Sequence, residues 1–418
     1  MYRFTQESSR FYNTQLYLLS KESKVRIVSF CDLCFMKKII APHHIIAYGL
    51  LLVTLAVNVS MPLFRVYAAQ ANLNNGQTAL VLAAYISGML PCYIFLGGIS
   101  DKLGRKPVLF ISLCFAFLAT LVITLNPTVE ALIIARMCQG IALALSMGTG
   151  TAYLTEVLKD KIPDAPTKAA NLASLSTAIG FSGGALSTTL YLFYEFSLVP
   201  PSYYLLLIIT AIGILLVLFL PNPTPIGGDI IRLPYFPKGS FPVNMSIALC
   251  WATTGVVIAI VPTQLAKFGM TAFAGFCLVL INWTGAFTQP FIRKMNPIKS
   301  VTIGYFLIPM GFLFVILGCH FEQIIIVLFG TFIVGLAAYG YSYVGGLALI
   351  ANYGGQQRAR AVSGYMLFGY LGFGIPAIFL GYLSDSLGIV NALIFFEVVL
   401  IILTAWLLKG FKGLGSGE

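Results

Sequence analysis

A chain of 418 residues is long enough for two or three soluble domains, but 58% of it is hydrophobic, 9% is charged and its mean hydropathy is +0.90. That composition excludes an ordinary soluble protein and marks a polytopic membrane protein. The formal charge of +11 does not point to nucleic acid, because the bases stand at the ends of apolar segments and not in an amphipathic or aromatic-rich groove.

Residues 1–42 form a basic tail in which Phe11, Leu16, Val25 and Phe30 alternate with Arg10, Lys21, Lys24 and Arg26. It reads either as a segment lying on an anionic membrane leaflet or as a disordered tail. A start at Met36, giving MKKIIAP before the first helix, is a third reading. No cleavable signal peptide is expected, since the first long apolar run begins too far in and is too long. Cys31 and Cys34 form a CxxC ahead of His43 and His44, but adjacent histidines are poorly placed to share one tetrahedral ion, and no metal is expected. Cys92, Cys114, Cys138, Cys250, Cys277 and Cys319 lie in apolar segments and read as small hydrophobes.

Twelve apolar segments follow, at 43–67, 77–99, 106–125, 128–157, 168–192, 202–220, 243–265, 271–292, 298–319, 323–348, 359–383 and 388–409. Each is close to the roughly 17–25 residues a spanning helix needs, and helices are required because lipid offers no partner to open backbone groups. Residues 43–220 thus make a first bundle of six, 221–242 a Pro- and Gly-rich central loop, 243–409 a second bundle and 410–418 a tail. With the N-terminus inside, nearly all Lys and Arg outside the helices fall on the cytoplasmic side, and only Lys267 sits in a clear outer loop, as the distribution of bases about membrane helices requires. The halves echo one another. Pro62 and Pro262 interrupt the first helix of each, and Gly285, Gln289, Arg293 and Lys294 repeat the spacing of Gly97, Asp101, Arg105 and Lys106, with glutamine in place of aspartate.

The stretch Gly97 to Lys106, GGISDKLGRK, is a charged hairpin between two apolar segments. Gly97, Gly98 and Gly104 allow close backbone approach or positive φ, and Asp101, Lys102, Arg105 and Lys106 bring four charges within six residues. In this order the residues resemble the signature loop between helices two and three of the major facilitator superfamily, a family of twelve-helix secondary transporters. The resemblance implies an all-α fold of two pseudo-symmetric six-helix bundles in parallel repeat, both termini cytoplasmic, in a plasma membrane or bacterial inner membrane. It implies a monomer that moves a small organic solute by alternating access, coupled to protons and working as an exporter, with an uptake symporter for a sugar, carboxylate or other nutrient as the alternative. No G-x-x-x-x-G-K-[ST] or HExxH stands in the chain, and no paired catalytic acids stand in the helices, so neither ATP, a cofactor nor an enzyme activity is expected.

Residue by residue, the resemblance implies that Arg105 and Glu156 form a gate at the inner ends of the helices. It also implies that Asp101 faces the N-terminus of helix eleven near Ala359 to Ser363, where a helix dipole favours a carboxylate. Simple surface ion pairs are the alternative. Arg136, Gln139 and Gly140 match an R-x-x-Q-G pattern of the fourth helix, whose arginine faces the central cavity. An arginine in the hydrocarbon costs roughly 2.5–3.5 kcal/mol on insertion scales, and the other reading is that Arg136 serves only to bind carbonyls of a neighbouring helix. Helices one, four, seven and ten line the cavity in that family, which nominates Asn58, Arg65, Trp251, Thr254, Gln264, Tyr339 and Tyr343 beside Arg136 and Gln139. Aromatic rings with a few polar groups suit amphipathic organic solutes, and Arg65 with Arg136 favours an anion. Glu397, well inside helix twelve, is the candidate proton site. Ile179 and Gly180 stand where drug/proton antiporters of the family carry Gly-Pro, a departure that weakens that specific assignment.

Overall fold

The computed structural model describes residues 41–270 and 273–415, every element of them helical; the CxxC, Met36 and the tail up to residue 40 lie outside the described residues. Twelve rods run in chain order: α1 (Pro42–Gln70), α2 (Asn75–Phe95), α3 (Arg105–Leu125), α4 (Val129–Leu158), α5 (Ala165–Leu192), α6 (Pro201–Val217), α7 (Phe241–Lys267), α8 (Phe273–Ile292), α9 (Pro297–His320), α10 (residues 324–354), α11 (Arg358–Leu387) and α12 (Ile389–Gly415). Among the described residues nine stretches are long and apolar enough to cross a membrane, one of them, Ile324–Leu387, holding both α10 and α11. The other two rods are α5, rich in Ser, Thr and Ala, and α6, an apolar helix of 17 residues. The last rod runs on to Gly415, so most of the segment expected as a tail from residue 410 continues α12.

Proline shapes the rods where the sequence places it. The first segment of α1 ends at Asn58, and a short 3-10 turn at Met61–Leu63 carries Pro62, which cannot donate a helical hydrogen bond. Likewise α7 breaks at Ile260, ahead of Pro262. In α10 the segment Leu336–Ser342 widens into a π-helix, a distortion that rotates Tyr339 relative to a regular helix and that the apolar pattern does not reveal.

Small residues bring the rods together, as expected where lipid removes any hydrophobic drive between helices. A Cβ on Gly140 of α4 would strike the Tyr85 carbonyl of α2, and one on Gly372 of α11 would strike the Ala248 backbone of α7. The first six rods pack chiefly on one another, as do the last six; α2 against α11 and α5 against α8 form the two main seams between them.

Candidate functional site

Three constellations lie along these seams: one at the end that carries the signature-like hairpin, one at the opposite end, and one in the middle.

At the hairpin end, the chain leaves α2, makes one helical turn over Ile99–Leu103 and enters α3 through Gly104, whose φ of +98° is costly for any residue with a Cβ. Arg105, only 8% exposed, reaches back to three acceptors: Asp101 Oδ1 at 2.5 Å, Ser100 Oγ at 2.7 Å and Glu156 Oε1 at 2.9 Å. The other Asp101 oxygen takes Arg232 of the central loop at 2.5 Å. That loop lies along the hairpin as a strap, Gly98 N–H donating to the Ile230 carbonyl at 2.8 Å and Gly227 N–H to the Asp101 carbonyl at 3.0 Å. It then joins α11, where Tyr235 N–H donates to the Arg360 carbonyl at 3.0 Å and Arg360 Nε to the Leu233 carbonyl at 2.8 Å. Gly97 lies against Arg232, and Lys106 Nζ donates to the Leu218 carbonyl at 2.7 Å, a cation at the C-terminus of α6.

Two expectations change here. Asp101 is paired with Arg105 and with Arg232 of the strap, and among the described residues no hydrogen bond joins it to the N-terminus of α11, which the strap reaches instead through Arg360. The Arg105–Glu156 pair joins α3 to α4, both among the first six rods, so it fixes the hairpin and does not itself bridge the halves. What reaches across is the strap, together with the second, glutamine-bearing copy of the motif. Gln289 accepts from Ser174 Oγ of α5 at 2.6 Å, and Arg293 donates to Asn171 of α5.

At the opposite end, Asp385 in the last turn of α11 caps α2: its two carboxylate oxygens accept from Asn75 N–H at 2.9 Å and Gly76 N–H at 3.0 Å. Asn74 completes the same terminus in a reciprocal capping box with Gln77. Sequence reasoning missed this contact, yet a signal existed. Gly381, Ser384, Asp385, Leu387 and Gly388 repeat the spacing of Gly97, Ser100, Asp101, Leu103 and Gly104. The closing glycines share a backbone conformation, φ +98° and ψ 157° at Gly104 and φ +83° and ψ 155° at Gly388.

In the middle, Arg136 is 1% exposed. Its Nη1 donates to the Val57 carbonyl at 2.9 Å and to Gln139 Oε1 at 2.7 Å, while Gln139 Nε2 donates to the Ala56 carbonyl at 2.8 Å. Ala56 and Val57 are near the end of the first segment of α1, where carbonyls lose their helical donors ahead of Pro62; the break in α1 therefore creates the acceptors that hold Arg136. The guanidinium also lies over Tyr85 at 4.9 Å and Phe64 at 5.7 Å from the ring centroids. From Tyr85 an aromatic row crosses the seam: Tyr85 meets Tyr370 at 6.4 Å and Phe373 at 6.3 Å, Tyr370 meets Trp251 at 4.8 Å and Tyr93 at 5.5 Å, and Trp251 meets Tyr339 at 5.8 Å. Tyr85, Tyr93 and Tyr370 come from α2 and α11, rods that cavity reasoning from the first, fourth, seventh and tenth helices passed over.

The other candidates disperse. Asn58 Nδ2 donates to the Phe181 carbonyl at 2.9 Å and ties α1 to α5. Thr254 bonds the Cys250 carbonyl of its own helix, and Gln264, 7% exposed, has an Oε1 with no partner among the described residues. Arg65 does not join Arg136; it borders a separate cavity of about 30 Å³ with Pro62, Thr78, Pro262 and Thr263. Tyr343 begins the α-helical segment after the π turn. Glu397 is 5% exposed on α12, a rod packed against α9 and α11, and its Oε2 has no partner among the described residues.

Comparison with known proteins agrees with this architecture. The family model described as Major Facilitator Superfamily matches residues 46–351. The multidrug resistance protein MdtL of Shewanella oneidensis is 35% identical over 95 residues, which is 22% of this chain and 24% of that protein, so the match spans about a quarter of its length. The MFS-type transporter YybF of Bacillus subtilis is 23% identical over 376 residues, 84% of this chain and 87% of that protein. In fold, a point mutant of the nucleoside transporter NupG superposes with a TM-score of 0.71 at 13% identity over 89% of this chain and 100% of its own. A D-xylose-proton symporter follows at 0.66 and 15%, over 88% and 97%.

Proposed function

The chain belongs to the major facilitator superfamily, and from that premise we propose that it is a proton-driven exporter of a small organic solute, working by alternating access with the hairpin end in the cytoplasm. The bundles 43–220 and 243–409 tilt against each other about the aromatic row. The observation that carries this reading is the placement of that row between two cross-half fastenings of different chemistry: strap, Gln289 and Arg293 at one end, Asp385 on the α2 terminus at the other. A transporter must open one end while the other holds, and differential contacts of this kind are what a ligand or a proton shifts.

Export is favoured by the names of several relatives, multidrug resistance proteins among them, and the excess of bases at the hairpin end supports its cytoplasmic side. Glu397 is the proton-carrying candidate, as a carboxyl buried within a spanning helix. The test is purified protein in liposomes of known orientation with an imposed pH gradient. A solute moving against the inward proton flow establishes export; movement with the protons makes the protein an uptake symporter, and no pH-dependent movement of any solute in a metabolite and drug panel refutes the reading.

A further inference from the structure

We propose that the solute is an amphipathic organic anion, whose carboxylate meets the free edge of Arg136 and whose flat body lies among Tyr85, Tyr370 and Trp251. The inference rests on the transport reading above and specifies the charge of what is carried.

The argument starts from a census of charge. The twelve rods hold four carboxylates. Glu130 is exposed in the first turn of α4, Glu156 is bound to Arg105, Asp385 caps α2, and Glu397 sits on α12 away from the row. Of the rods that supply the walls around Arg136 and the rings, α1, α2, α7 and α10 contain none, and α4 and α11 carry theirs only in their end turns. Every ion pair among the described residues lies at the hairpin end. Arg136 therefore carries a buried charge with no ion-pair partner among the described residues, and burying a charge unpaired is expensive.

The Arg136 side chain keeps one edge unmet. Both hydrogen bonds of the Arg136 guanidinium leave from Nη1, and Nε, although buried, has no partner among the described residues. An arginine with one edge committed and the other free is set for two-point binding of a carboxylate. Along the row, Trp251 Nε1, in a residue 6% exposed, is a second donor with no partner among the described residues. Both unmet groups are donors, so the ligand must bring acceptors. A cation would meet the Arg136 charge with nothing to offset it.

The probes are 2-naphthoate, 2-naphthamide and 2-naphthylmethylammonium, one ring system carrying negative, zero and positive charge. Binding to the purified full chain in nanodiscs is expected to rank carboxylate first, by on the order of tenfold over the amide, and the ammonium last. Arg136→Met should abolish the ranking and Arg136→Lys should restore part of it. Trp251→Phe keeps a ring and removes the donor, so it should weaken 6-hydroxy-2-naphthoate by more than it weakens 2-naphthoate. Should Arg136→Met not fold, the wild-type ranking and Trp251→Phe decide. Equal affinities, an ammonium in first place, or no binding of 2-naphthoate at millimolar concentration overturns the proposal. Transport of cationic dyes without anions would sink it while leaving the transporter reading intact; the expected ranking in a protein that moves no solute would keep the anion site and sink the transporter reading, and with it the claim that the anion is carried.

Discussion

Replacing Asp385 by asparagine tests the fastening far from the hairpin. The aspartate accepts two backbone N–H groups across the seam, at 2.9 and 3.0 Å. An asparagine of the same shape can accept only one and turns its amide N–H₂ toward the other donor. Each lost bond is worth about 0.5–1.5 kcal/mol net, and the charge at a helix N-terminus adds about 0.3–1 kcal/mol at low salt. Because Asp385 is exposed, the lower parts of those ranges apply, for a total of about 1 kcal/mol. At about 1.4 kcal/mol per factor of ten, the ratio of closed to open forms at that end falls by roughly 5-fold. Hydrogen–deuterium exchange with peptide resolution reads this directly. Amides over the adjoining ends of α2 and α11 should exchange faster together in Asp385→Asn, while the Gly98 amide bonded to the strap stays protected. Acceleration confined to Asn75 and Gly76, with the neighbouring turns of α2 and α11 unchanged, would mean that Asp385 is only a local cap and would refute the fastening.

Asp101→Asn removes the charge shared by Arg105 and Arg232; the hairpin and strap amides Gly98 and Gly227 should lose protection, and transport should slow at least severalfold, whereas an unchanged rate removes the strap from the mechanism. Gly140→Ala drives a Cβ into the Tyr85 backbone, an overpacking of about 1–3 kcal/mol that should lower the melting temperature in detergent; an unchanged melting curve would show that α2 and α4 part more easily than their crossing suggests. Glu397→Gln should abolish proton-driven accumulation in liposomes while leaving solute exchange down its own gradient, and full accumulation by the variant would eliminate Glu397 as the carrier.

Much of the frame was readable from local signals. Apolar runs and Pro62 and Pro262 mark the rods and their breaks, because both depend on what a single segment can do in lipid. The hairpin was legible for a similar reason: glycines and charges between two apolar runs leave few conformations. Partners far apart in sequence were not legible. Nothing near Arg232 says that it meets Asp101, and only the packed strap makes the pair. The rows of the centre were half visible: Arg136 and Gln139, three residues apart on one face, announce themselves, but their acceptors arise from the break in another helix. Tyr85 and Tyr370 belong to rods whose pattern is apolar throughout, so their meeting depends on how closely α2 and α11 cross. Arg65 shows the converse error, since two arginines within neighbouring helices were expected at one site and the turn of α1 sends them to different ones.

The strap is covalently continuous with both sets of six helices. When Asp101 and Arg232 separate, the arginine stays tethered nearby, and recombination proceeds at the high effective concentration of a short linker instead of by search through solution. Such a tie can be individually weak and still close quickly after each opening. The two ends of the molecule consequently differ in kind: Asp385 and the tip of α2 must find each other through the motion of whole helices, while the strap behaves as a short leash that keeps its own clasp within reach.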